Sequence, residues 1–150
     1  MRIREAGPAD LRAVAELEGR CFSTPWPDSA LRYAMEGEGC TLLAAETEKG
    51  ALAGYLALQC VLDEGYINNV CTSPEQRRRG VGSALLEETL RRARERALAF
   101  LTLEVRRSNA AAIGLYEKFG FKTVAARPNY YECPREDALI MTLYLGEGQT

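Results

Sequence analysis

Apolar residues change their spacing several times along the chain, and each change marks an element. In MRIREAG, alternation of apolar and polar positions predicts a short strand ended by Gly7–Pro8. Leu11, Val14, Ala15 and Leu17, with Glu18 among them, recur at helical spacing and predict a helix over residues 10–22. Two prolines in STPWPD interrupt it, and Asp28 or Ser29 is suited to cap a second helix through Met35. TLLAAETEKGALAGYLALQCV reads as two strands joined at Lys49–Gly50, and GYINNVCT as a third that runs into an arginine-rich loop. From 81 to 97, Leu86, Leu90, Ala93 and Ala97 repeat at helical spacing. In AFLTLEV, Phe100, Thr102 and Glu104 share one face of a strand, and Leu101, Leu103 and Val105 the other. Ser108 is placed to cap a helix ending at Gly120. FKTVAAR and DALIMTLYL complete the strands, joined by an irregular PNYYECPRE. Strands alternate with helices, yet hairpins occur among them, so a mixed α/β sheet is expected. One domain is expected over residues 1–145, with 146–150 as a loose tail.

Composition narrows the class. A chain of 150 residues suits a single core that buries roughly 70% of its unfolded surface. A net charge of −2 and a pI near 5.4 argue against general nucleic-acid binding, so the clustered arginines imply a local patch. No apolar run approaches the ~20 residues that span a bilayer, and the N-terminus has no signal-peptide core. A cytoplasmic protein without membrane or nucleic-acid partners is the expectation. Five cysteines, at 21, 40, 60, 71 and 133, form no CxxC pair and are expected as free thiols. Histidine is absent. That removes Ser-His-Asp and Cys-His nucleophiles and most zinc sites, and no metal is expected. A general base must then be Glu, Asp, Lys, Tyr or Cys.

The candidate chemistry begins at QRRRGVGS, residues 76–83, between a strand and a helix. Glycines allow close backbone approach, and a helix N-terminus offers free N–H groups and a positive dipole end. Together they suit a phosphate. A Walker loop would end in Gly-Lys-Ser/Thr, and a dinucleotide loop would carry a third glycine or alanine where Leu85 stands. The loop alone reads equally as a solvated arginine turn. Glu104, on a strand beside large apolar residues, reads as a buried carboxyl with a raised pKa or as an edge glutamate facing solvent. Tyr116 lies on one helical stripe with Asn109 and Ile113, and is either a core tyrosine or an acid. Asn109 is either a ligand contact or a cap.

Taken in order along the chain, these residues resemble a known family. From Val61 to Leu145 the sequence resembles the acetyl-CoA-dependent N-acetyltransferase (GNAT) superfamily. LEVRRSNAAAIGLYEKFGF, RPNYY, EDALIM and the TPW at 24–26 are similar to the bacterial ribosomal-protein-alanine acetyltransferases. The resemblance implies one mixed sheet of about seven strands flanked by about four helices. It further implies acetyl-CoA as co-substrate and a protein N-terminus, here an alanine-first ribosomal protein, as acceptor. By resemblance, the backbone of Arg78, Arg79, Gly80, Val81, Gly82 and Ser83 wraps the pyrophosphate. Val70, Cys71 and Thr72 hold the pantetheine and acetyl group, and Asn109 meets the pantetheine further along. Glu104 is then the general base and Tyr116 the general acid, and the acceptor groove runs between Trp26 and the pair Tyr130 and Tyr131. The sequence departs from the family at Cys71, which brings a thiol near the acetyl group, at Ser73, where an acid is usual, and in a short link from Tyr131 to Glu136. A GNAT enzyme for a small amine or a protein lysine stands as an alternative, and so does a non-catalytic acyl-CoA-binding module.

Overall fold

The computed structural model describes residues 1–146. Along the chain run β1 (Arg2–Glu5), α1 (Leu11–Cys21), α2 (Asp28–Glu36), β2 (Cys40–Glu46), β3 (Leu52–Val61) and β4 (Glu64–Thr72). They are followed by α3 (Val81–Glu95), β5 (Phe100–Arg106), α4 (Ala110–Lys118), β6 (Lys122–Tyr131) and β7 (Glu136–Tyr144). The strands form one sheet in the order β1-β2-β3-β4-β5-β7-β6, in which β4 and β5 pair in parallel and the other neighbours antiparallel. The expected mixed α/β sheet of about seven strands and four helices is therefore present. Gly146 donates to the Ala99 carbonyl at 3.1 Å, and the rest of the expected tail lies outside the described residues.

Two apolar layers sandwich this sheet. Val14 and Leu17 of α1 and Leu31 of α2 pack on Leu42, Ala44, Tyr55, Ala57 and Cys71. On the other face, Leu85, Leu86 and Leu90 of α3 and Tyr116 of α4 pack with Leu101, Leu103, Val105 and Phe121. The alternation in β5 thus resolves as expected. Leu101, Leu103 and Val105 enter the second layer, leaving Phe100, Thr102 and Glu104 on the opposite face.

Several boundaries differ from the sequence expectation. The cap of α4 is Asn109, whose Oδ1 accepts the Ala112 N–H at 3.1 Å, and not Ser108. Pro27 precedes α2 in extended conformation, so Asp28 is already helical. Helix α3 stops at Glu95 because Ala97 turns left-handed (φ 55°), which lets the Leu98 N–H reach the Ala93 carbonyl at 2.9 Å. The expected irregular link begins inside β6, which runs on to Tyr131 but loses its pairing between Arg127 and Tyr131, with Asn129 and Cys133 left-handed (φ 53° and 54°). Cys21 and Cys71 are paired as a disulfide (Cα–Cα 6.7 Å), so the expectation of five free thiols is corrected to Cys40, Cys60 and Cys133. Spacing gave no sign of it, because packing alone lays the last turn of α1 over β4.

Candidate active site

An opening in the sheet organises the site. β4 and β5 are paired from Glu64 opposite Phe100 to Ile67 opposite Leu103. Beyond that point β4 continues to Thr72 and β5 to Arg106 without pairing each other. A bulge starts the divergence: Ala57 pairs with Asn69 and Leu58 with Ile67, leaving Asn68 as the extra residue. Bulges bend a strand and re-aim its groups. After the bulge, the β5 side of β4 has no partner strand among the described residues.

Val70, Cys71 and Thr72 border this opening but do not act alike. Val70 packs on the layer of α3, whereas Cys71 is 3% exposed, lies against α1 and is bonded to Cys21. Bonded in this way, Cys71 offers no free thiol to an acetyl group. The Cys71 carbonyl lies close over Gly54 of β3, where a Cβ would stand 2.5 Å from its oxygen.

The arginine loop follows directly. Arg78 (φ 65°) and Gly80 (φ 79°) are both left-handed, a backbone pattern that turns successive N–H groups toward one point. Among the described residues, the N–H groups from Arg78 through Ser83 have no backbone acceptor; the next, of Ala84, reaches the Gly80 carbonyl at 2.9 Å. These donors coincide with the positive end of α3. Arg78, Arg79 and Gly80 are exposed, Val81 is buried, and Gly82 and Ser83 are half-buried. Gly82 is small for a reason the sequence did not reveal. Its absent Cβ points at Leu115 of α4, whose Cδ2 would lie 2.8 Å away. This contact sets the N-terminal turn of α3 beside α4, which Asn109 begins. Asn109 spends its Oδ1 on the cap, which leaves its amide nitrogen as a donor.

Glu104 and Tyr116 occupy opposite faces. Glu104 is exposed, not buried as one sequence reading had it; its side chain keeps 33% of its area open, and Arg127 Nη1 stands 3.8 Å away. Tyr116 is buried among the α3–α4 layer, with its ring 5.9 Å from that of Phe121. Burial above all, then Tyr131 nearby, pushes the Tyr116 phenol up to about 12. Burial likewise lifts the Tyr131 phenol to about 12, and the Glu104 charge is its second cause. Tyr131 thus lies within electrostatic reach of both residues. Arg106 holds it from β5, 4.5 Å over the ring, and Tyr130 packs edge-on at 5.0 Å.

Trp26 belongs to the other wall. It is half-buried in the α1–α2 loop, and its N–H donates to Glu18 Oε2 at 2.8 Å. A cavity runs beside it, lined by Tyr33, Ala57, Leu58 and Asn68. Trp26 shares that cavity with Asn68 of β4, while Tyr131 lies beside Arg106 of β5 with Tyr130 against it. Sequence reasoning missed the tie between Trp26 and Glu18, although an acid on the apolar stripe of α1 was its visible sign.

Set against known proteins, the chain matches the acetyltransferase (GNAT) family over residues 11–121. It is 41% identical over 137 residues to a ribosomal protein bS18-alanine N-acetyltransferase of Escherichia coli (strain K12), covering 89% of this chain and 90% of that protein. Its fold superposes on the crystal structure of the ribosomal-protein-S18-alanine N-acetyltransferase from Escherichia coli with a TM-score of 0.90, at 38% identity, covering 99% and 98% of the two chains. Ard1 from Thermoplasma volcanium is similar as well, with a TM-score of 0.86 and 28% identity over 97% and 98% of the chains.

Proposed function

Because this chain belongs to the GNAT acetyltransferase family and is an acetyl-CoA-dependent N-acetyltransferase, we propose that it acetylates the N-terminal α-amine of an alanine-first ribosomal protein. The relatives at about 40% identity carry names for that reaction, and the sequence similarity covers most of both chains. Acetyl-CoA supplies the acetyl thioester. The residues present fit this co-substrate: the N–H groups from Arg78 through Ser83 suit its pyrophosphate, and the opening between β4 and β5 suits an extended pantetheine arm.

Each residue then has a defined task. Val70 and Thr72 line the acetyl end, and free N–H groups of β4 polarise the acetyl carbonyl. Asn109, at the head of α4, donates its amide N–H to the pantetheine. Glu104, open to solvent on the acceptor face, takes the proton that the incoming ammonium must lose, directly or through one water. Tyr116, on the other face, keeps its proton at neutral pH and gives it to the departing sulfur. Trp26, Tyr130 and Tyr131 form apolar walls with polar tips around the peptide.

The observation that supports the roles of Glu104 and Tyr116 is their placement on opposite faces of the sheet. An acceptor on one face and a thioester on the other would each meet the group it needs. Acetyl-transfer rates on peptides that differ only in their first residue test the acceptor. Alanine-first peptides should react fastest, and equal rates for every first residue would reject the assignment.

A further inference from the structure

Glu18 is 1% exposed, a carboxyl held beneath α1 on an otherwise apolar stripe. Donors from three separate elements converge on it. Its Oε1 accepts from the Tyr55 hydroxyl of β3 and from Asn69 Nδ2 of β4 at 2.9 Å, while Oε2 accepts the Trp26 N–H at 2.8 Å. Asn69 Nδ2 also lies 3.3 Å from the Tyr55 hydroxyl. No buried side-chain N or O atom among the described residues lacks a partner, so the network is complete. Burial raises the Glu18 pKa, with the Trp26 and Asn69 bonds acting against it. A leucine would join helix to sheet without that desolvation cost. What an apolar contact cannot do is fix a direction.

The places it joins are informative. Asn69 directly follows the bulge at Asn68, where β4 begins to leave β5, and immediately precedes Val70, Cys71 and Thr72. Trp26 lies in the loop that walls the acceptor groove. We propose that Glu18 is a positioning residue for acetyl transfer, fixing the Trp26 loop against the acetyl-bearing strand so that the amine arrives in line with the carbonyl. This rests on the acceptor groove described under the proposed function. Cys21 and Cys71 form a second tie between the same two elements, one turn along α1 and two residues along β4. Transfer demands such fixity, because a misplacement of about 1 Å costs on the order of a hundredfold in rate.

Steady-state kinetics of Glu18→Leu, Glu18→Gln and Trp26→Ala, with hydrogen exchange at the Trp26 amide, test the proposal. Glu18→Leu should raise the KM for an alanine-first peptide roughly tenfold, the scale of one lost charge-assisted hydrogen bond. Its KM for acetyl-CoA should stay within about twofold, and the Trp26 amide should exchange faster. Glu18→Gln should recover most of the peptide KM, since its carbonyl accepts from Trp26 while its amide donates to the Tyr55 hydroxyl and, with the Asn69 amide flipped, to Asn69 Oδ1. If Trp26→Ala raises the peptide KM and Glu18→Leu does not, the positioning role is overturned and the groove stands. If neither raises it, both are overturned. A variant that only melts earlier, with unchanged kinetics per folded molecule, also overturns it. Should Glu18→Leu fail to fold, Asn69→Ala carries the same test, because it frees β4 from Glu18 and leaves the Trp26 bond in place; an unchanged peptide KM there overturns the proposal.

Discussion

Glu104 and Tyr116 stand on opposite faces of the sheet, and Tyr131 lies within electrostatic reach of both. β5 makes this separation: Leu103 and Val105 share the layer of Tyr116, so Glu104 between them must face away. In the proposed reaction this would keep two proton transfers apart, one at the amine and one at the sulfur.

Removing each group should therefore slow transfer without disturbing acetyl-CoA binding. Glu104→Gln and Tyr116→Phe are each expected to lower kcat by about 10²–10⁴-fold, the usual range for a positioned acid or base. The KM for acetyl-CoA should hold in both. A kcat unchanged in Glu104→Gln would make that residue structural.

The loop from Arg78 to Ser83 gives a prediction that depends on α4. A Cβ at Gly82 would press on the end of the Leu115 side chain, so Gly82→Ala should raise the KM for acetyl-CoA only a few-fold, as Leu115 turns aside. Shortening Leu115 to alanine in the same chain should restore much of the loss. Arg78→Ala, which keeps the backbone, should cost less than either. If the Gly82 defect persists in the double variant, the cause lies in the loop itself.

Thiol titration checks the pairing of Cys21 with Cys71. Unfolded without reductant, the protein should expose the three thiols of Cys40, Cys60 and Cys133. Reductant should raise the count to the five of the sequence. A bridge over a separation of 50 residues contributes about 2–4 kcal/mol, so reduction should also lower Tm by several degrees. Five thiols without reductant would remove the bridge.

Stability should also follow pH through Glu18. Burial raises its folded pKa above the unfolded carboxyl value of about 4.3. Its contribution is therefore full below the unfolded value and is lost as pH rises through the folded one. Glu18→Gln carries no such charge, so the gap in Tm between wild type and variant should shift in the variant's favour as pH rises from about 4 to 8. Melts at intervals across that range read it directly, and a constant gap would contradict it.

Much of this fold could be read from spacing because each strand and helix has a clear apolar face. The face assignment of β5 followed from alternation alone, and the β2–β3 turn from Lys49–Gly50. The site was legible only where local sequence carries the geometry, as in the loop from Arg78 to Ser83. Contacts between distant segments were not. Gly82 looked like a ligand contact, and its packing against Leu115 depends on where α4 lands. Ser108 and Asn109 are both good caps, and only the backbone decided between them. Glu18 was visible as an acid on an apolar stripe, yet nothing nearby in sequence named Tyr55 or Asn69 as its partners.

The acceptor decides the account. An α-amine has a pKa near 8 and a lysine amine one near 10.4, so at pH 7 the α-amine is free roughly a hundredfold or more often. A solvent-open carboxylate such as Glu104 can serve it without any special lysine environment. The direct measurement offers the enzyme one alanine-first peptide that also contains lysines, then locates the acetyl group by mass spectrometry. Acetylation at the α-amine, abolished when that amine is blocked, is the predicted result; modification mainly on lysine, or on small amines alone, would contradict it.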